Sequence, residues 1–261
     1  MRAANPRIVY CAITGYGQSG PRAQVAAHDL NYVAESGMLS LTAGADGAPV
    51  VPAALVADIA GGAYPAVMNI LLALRSRDAT GAGCRLDVSM SDNVFPFLFW
   101  AMGQGEAGGE WPGPGTALLA GGSPRYQIYR TRDGRFVAAA PLEQKFWETF
   151  AATIGLDPAL LDDARDPRAT RAAVAACIAA RTADEWRAAF AGRDVCCTVV
   201  ATMAEAMHDP HFNARGLFSR KVAVDGGALT ALPVPIDEAF RARETTLGYA
   251  RLGDAAPNAG G

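Results

Sequence analysis

Residues 52–74 read PAALVADIAGGAYPAVMNILLAL, and after Pro52 they carry a single charge, Asp58. Such a run must form a helix, and almost everything on it prefers to leave water. If the run is buried, Asp58 loses hydration among Leu55, Val56 and Ile59. Desolvation disfavours a carboxylate's ionised form, which would bring Asp58 towards the range of a working acid or base. Gly61 and Gly62 follow within a turn and would let a ligand approach the main chain closely. The first N–H groups of a helix beginning near Asp58 lack partners within the helix and suit a developing negative charge. Two plainer readings stand beside this one. The run is long enough for a membrane span, but Asp58, the glycine pair, Pro65 and Asn69 interrupt it, so a buried central helix is expected. Asp58 also fits a simple helix-capping carboxylate.

The rest of the composition narrows the class. A chain of 261 residues, 51% apolar and 19% charged, can bury one large or two modest cores. Its net charge of −3 gives no basic footprint for nucleic acid. No hydrophobic signal run follows Met1, and the five cysteines form no C-x-x-C pair. A cytoplasmic protein with free thiols, no nucleic-acid partner and no membrane association is expected.

Taken in order, residues 7–13 (RIVYCAI) have the β-branched, apolar character of a buried parallel strand, which needs neighbours. The loop after it holds Gly15, Gly17 and Gly20 in G-x-G-x-x-G spacing. No apolar helix follows Pro21, so the dinucleotide fingerprint lacks its context, and a main-chain-rich loop against some other ligand is expected. His28, one of three histidines, closes that loop before a short helix. Residues 84–90 alternate as a strand, 93–102 suit an apolar helix, and 103–123 are Gly- and Pro-rich like a linker. Residues 126–129 and 135–140 form a hairpin around Asp133-Gly134. A helix over 142–154 begins with Glu143, and Thr182 with Glu185 makes a capping box. A strand at 195–200, with Cys196 and Cys197 as core, a helix at 203–207, and a strand pair with a polar tail over 217–261 complete the chain.

No G-x-S-x-G elbow or Walker loop is present. His208 and His211 have H-x-x-H spacing, but Pro210 breaks the helix between them and no third ligand is near in sequence, so no metal is expected. What remains is His28 after a glycine loop, Asp58 in an apolar run and Glu143 at a helix start. That is an acid–base set whose one nucleophile candidate is Asp58.

ITGYGQSGP, AHDLNY, ALVADIAGG, TGAGCRLDVSMSD, GGSPRYQIYRTRDGRFVAAAPLEQKFW and RDVCCTVV, in that order, resemble the family III CoA-transferases. That group includes formyl-CoA transferase, carnitine CoA-transferase and α-methylacyl-CoA racemase. The resemblance implies an α/β fold: an open, Rossmann-like large domain over 1–102, a linker over 103–123, a smaller α/β domain over 124–212 and a return with a tail over 213–261. It implies an interlocked homodimer. Family chains carry a strand-and-helix unit before the segment matched here, so the large domain is expected to lack its N-terminal unit.

The resemblance also assigns roles. Asp58 matches the carboxylate that transferases use as nucleophile and racemases as base. His28 matches the histidine of the racemase branch, and Glu143 resembles the glutamate that supports it. Asp29 and Tyr126 match neighbouring positions, and Gly15, Tyr16, Gly17, Ile59, Gly61 and Gly62 fall in the substrate- and CoA-binding stretches. The expected activity is inversion of the α-carbon of a 2-methyl-branched acyl-CoA by two-base proton transfer between His28 and Asp58. The amides at 58–61 would receive the enolate oxygen. No cofactor is implied beyond the coenzyme A thioester that is itself the substrate. The alternatives are CoA transfer between carboxylic acids through an anhydride and a CoA thioester on Asp58, and a non-catalytic remnant or subunit. Glu143, beyond the linker, is expected to complete His28 from the partner chain.

Overall fold

The computed structural model describes residues 3–44, 46–241 and 246–248. The chain divides into two compact units, Met1–Thr198 and Val199–Gly261. It is an α/β chain.

The first unit opens with strand β1, Tyr10–Thr14, and a glycine loop that leads to helix α1, Asp29–Glu35. A π-helix, Val56–Ala63, runs straight into α2, Tyr64–Thr80. Strand β2, Arg85–Ser89, returns parallel to β1, pairing Tyr10 with Arg85 and Thr14 with Ser89. The apolar run is therefore the crossover of a β-α-β unit, the connection that parallel strands need. A 3₁₀ segment, Asp92–Leu98, leads into α3, Phe99–Gly108, which closes at left-handed Gly109. The apolar helix expected at 93–102 is thus irregular at its start, where Pro96 has no N–H to give. It also reaches into the stretch that reads as a linker.

The expectation of a buried central helix is not met. Along α2 only Ala66 and Ala73 are buried, while Val67, Met68, Leu71 and Leu72 stand at 55–65% exposure. Small side chains bring the helix down on its neighbours, and the large apolar ones point away. By length and composition alone, Val56–Thr80 would suffice to cross a membrane. Nor is β1 a buried strand: Tyr10 and Ile13 are exposed, and β2 is its partner among the described residues.

The core of this region lies under α1. Tyr32, Val33, Leu41, Ala57, Val94, Leu98 and Ala101 are buried together, with Tyr16, Val56 and Met90 packed at the margin.

Further along, β3 (Gln127–Arg130) and β4 (Phe136–Ala139) form the expected hairpin, and β5 (Cys197–Val199) extends their sheet. Against β3 packs α5 (Pro167–Ala179), with α4 (Gln144–Ile154) against α5, and α6 (Ala183–Phe190) follows in the chain. Helix α5 has no counterpart in the sequence reading, although Asp166 caps it by accepting from the Ala169 amide at 2.9 Å and Pro167 opens it. Trp147, Phe150 and Trp186 are fully buried. Phe150 sits between Trp147 and Phe190, at ring separations of 5.9 and 6.4 Å. The capping box is present: Thr182 Oγ1 accepts from the Glu185 amide and Glu185 Oε2 from the Thr182 amide. Cys197 packs inward, and burial pushes its thiol up to about 12. Cys196, expected in the core, is instead exposed, because its left-handed φ of 47° turns it out of the strand.

The second unit has α7 (Met203–Met207) and α8 (Pro210–Ala214), then β6 (Lys221–Val224) paired antiparallel with β7 (Gly227–Thr230). Strand β8 (Thr246–Gly248) lies parallel to β6. The polar tail expected after it lies outside the described residues.

Two outcomes check this account. Phe150→Ala should cost about 3–5 kcal/mol in urea unfolding, since it empties a site walled by aromatic rings. On the acid side, the Thr182 amide holds the Glu185 carboxyl below its ordinary 4.5. A depressed folded value contributes stability above the unfolded value, lost as pH falls through the folded one. Glu185→Gln should therefore flatten the fall of the urea midpoint below pH 4.5, and an unchanged acid limb would contradict the assignment.

Candidate active site

The candidate residues are assembled from three pieces of backbone. The first is the glycine loop. Gly17 and Gly20 have φ of 79° and 88°, which a side chain disfavours. The Gln18 amide donates to both Asp87 oxygens, at 3.2 and 2.9 Å, which pins the loop to β2. The next helix begins only at Asp29, so the loop is not a dinucleotide fingerprint.

The second piece is the start of α1. His28 is its N-cap, with extended backbone, and the His28 amide donates to Asn31 Oδ1 at 3.0 Å. The His28 carbonyl accepts from Asn31 and Tyr32. The imidazole is exposed, whereas Asp29 is buried, a rare place for a carboxylate without partners.

That partner is the third piece. Asp29 Oδ1 accepts from the Asp58 amide at 2.9 Å. One hydrogen bond therefore joins the residue after His28 to Asp58 itself. Asp58 is half-buried rather than enclosed among apolar side chains, so the desolvation expected from sequence is only partly present. Tyr32 belongs to the same corner. Burial first, then the charges of Asp58 and Asp29, raise its phenol above the ordinary value, and Tyr32 Oη donates to the Ala27 carbonyl at 2.8 Å. Its ring meets Tyr16 edge-on at 5.1 Å and lies so close over Gly15 that a Cβ there would collide with it. Sequence reasoning names Tyr16 and Gly15 but passes over Tyr32. The signal is a tyrosine one turn past the histidine.

Two expectations change. A Cβ on Gly61 would run into the Met90 carbonyl, and one on Gly62 would press on the Met90 side chain. The close approach that these glycines permit in the fold is by Met90, just beyond the end of β2. Nor are the first two of the amides at 58–61 open to an enolate oxygen: Asp58 donates to Asp29 and Ile59 to the Leu55 carbonyl. Asn93 Nδ2 ties this turn to β2, donating to the Gly61 and Ser89 carbonyls at 2.8 and 3.0 Å. The first two amides of α1, Asp29 and Leu30, have no acceptor among the described residues.

Glu143 and Tyr126 lie elsewhere. Glu143 is the exposed N-cap of α4, and Tyr126 is exposed just ahead of β3. Among the described residues, no hydrogen bond or ion pair joins either to His28 or Asp58. The structure thus brings together Gly15, Tyr16, His28, Asp29 and Asp58, with Ile59, Gly61 and Gly62 on the same π-helix, and leaves Glu143 and Tyr126 apart.

The Gly61 contact is testable. Gly61→Ala should cost about 1–3 kcal/mol, because what it strikes is main chain that cannot rotate away. Gly103→Ala, with open space around it inside α3, should instead gain about 0.5–1 kcal/mol. Equal effects in thermal melts would refute the close-approach account.

Comparison with known proteins places this geometry. The model of CoA-transferase family III matches residues 1–253. Alpha-methylacyl-CoA racemase of Homo sapiens is 35% identical over 225 residues, covering 84% of this chain and 58% of that protein. Succinyl-CoA:glutarate CoA-transferase of Mus musculus is 36% identical over 167 residues, covering 61% of this chain and 36% of its own length. The chain thus spans under three-fifths of the length of these relatives. Among solved structures, a CAIB/BAIF family protein from Brucella suis superposes with a TM-score of 0.73 at 27% identity, covering 92% of this chain and 63% of that one. With the family model matching almost the whole of this chain, and with the residues of its AHDLNY and ALVADIAGG segments joined at one corner of the fold, the chain belongs to CoA-transferase family III.

Proposed function

We propose that this chain carries the catalytic corner of an acyl-CoA racemase or epimerase acting at the α-carbon of a 2-methyl-branched acyl-CoA. The observation that supports it most is the Asp29–Asp58 hydrogen bond, which sets an exposed histidine beside a half-buried carboxylate. The α-hydrogen of a thioester is weakly acidic, so its removal needs a base within hydrogen-bond reach. Inversion needs a second group on the opposite face to return a proton. His28 and Asp58 exchange those roles according to the enantiomer bound. Glu143 and Tyr126 join the corner from the second chain of an interlocked homodimer, Glu143 holding the imidazole and favouring its charged form.

The main test is exchange of the α-hydrogen of a 2-methylacyl-CoA with solvent deuterium. His28→Ala or Asp58→Asn should slow turnover by about two orders of magnitude or more. Unchanged exchange in both variants would remove the pair from the mechanism.

CoA transfer is the second reading, supported by the relative that is a succinyl-CoA:glutarate CoA-transferase. Here the Asp58 carboxylate attacks the thioester carbonyl, CoA thiolate leaves to give a mixed anhydride, and the thiolate then attacks the aspartyl carbonyl to give an enzyme thioester and free carboxylate. Hydroxylamine or borohydride would trap such species. A substrate-dependent mass change at Asp58 without α-exchange would decide for the transferase, and its absence alongside exchange for the racemase.

A further inference from the structure

Among the described residues, six helix N-caps spend their side chains on the helix they open. Asp157, Asp166, Thr182, Thr202, Asp209 and Asp237 each accept from an amide of the first turn. Glu143 does not: it opens α4 with extended backbone (φ −73°, ψ 143°) and its carboxylate makes no capping bond. Among the described residues only its carbonyl is engaged, accepting from the Phe146 and Trp147 amides at 3.0 Å each. The main chain of Glu143 is fixed while its charged group is left unspent.

The fixing comes from Arg125. Its Nη1 donates to the Leu142 carbonyl at 3.2 Å and its Nη2 to Gln144 Oε1 at 2.9 Å, the residues immediately before and after Glu143. Its plane lies over the Trp147 ring, 5.1 Å from the centroid. The charge is balanced by Asp163, whose Oδ1 accepts from Nε at 2.9 Å and from Nη2 at 2.6 Å. Both side chains are largely withdrawn from water, at 16% and 13% exposure. Such a pair adds little net stability over apolar residues of similar volume, since desolvation offsets the attraction. What it supplies here is direction. A planar fork with five donors binds a carboxylate, a carbonyl and an amide oxygen at once, and an ammonium cannot.

We propose that Arg125, charge-balanced by Asp163, is the positioning residue of the Glu143 carboxylate. This rests on the reading of Glu143 as the group that supports His28. Arg125 touches no reacting atom. It holds the Leu142 carbonyl before Glu143 and the Gln144 side chain after it, so that the carboxylate projects from an anchored turn rather than from a frayed helix start.

The test has two arms on the native protein. In the first, amide hydrogen exchange is followed in Arg125→Met. Exchange at Phe146 and Trp147 should quicken about tenfold or more, while the α6 amides stay within about twofold. Arg125→Lys keeps a charge for Asp163 but loses the fork, and should show the same local quickening; it serves if the methionine variant fails to fold. Unchanged exchange at Phe146 and Trp147 in both variants overturns the proposal. In the second arm, Glu143→Ala and Arg125→Met should each lower kcat for α-hydrogen exchange with KM little changed, and the double variant should be no slower than Glu143→Ala alone. Losses that multiply would mark Arg125 as a mere scaffold residue and also overturn it. Full turnover in Glu143→Ala would instead sink the catalytic reading of Glu143. That result is distinguishable, because the exchange arm still responds to Arg125.

Discussion

The hydrogen bond from the Asp58 amide to Asp29 Oδ1 is the interaction on which the candidate site depends. The apolar crossover and the glycine-loop helix are separate in sequence, and each has its own reason to fold. Apolar packing of Tyr32 and Val33 with Ala57 brings them together, but being non-directional it fixes their register only loosely. A buried carboxylate does so sharply, because leaving it or the amide unpaired costs about 1–3 kcal/mol or more. The crossover starts as a π-helix over Val56–Ala63 and settles into α geometry only from Tyr64. Wide turns of this kind recur at functional sites.

How much of this was legible follows from the range of each signal. The hairpin over Asp133-Gly134, the Thr182 box and the short helix at Met203 all lie within a few residues of their causes, and all are present. Asp58 and His28 stood out because each is chemically alone in its stretch. The identity of their link was not legible: Asp29 is one of many acids in the chain until the fold buries it against an amide. The glycine pair misled for a related reason. Sequence says that something approaches closely at Gly61, but only the fold says that it is the Met90 main chain. Helix α5 was missed because its Ala-rich pattern has a weak apolar stripe, although Asp166-Pro167 is a sound start signal.

The apolar run taught the opposite lesson. Its composition demanded burial, and the chain grants it only at the small residues Ala57, Gly61, Gly62, Ala66 and Ala73. Burial is a property of what surrounds a helix, whereas composition reports only what the helix would prefer. The exposed side chains of β1 belong to the same uncovered region, since a strand with a partner on one side keeps one ladder open.

The two acids of the corner show why burial alone does not predict chemistry. Asp29 is the more buried, yet its carboxylate is committed to a main-chain amide and so serves as structure. Asp58 is the less buried; its amide is committed, which holds the residue in place, while its carboxylate makes no hydrogen bond or ion pair among the described residues. Glu143 repeats the arrangement at the start of α4, with a fixed main chain and an unspent side chain. A group that exchanges protons with a substrate must be held without being used up in the holding. In this chain the backbone of a candidate group is anchored, and a neighbouring polar side chain, Asp29 in one place and Arg125 in the other, does the anchoring.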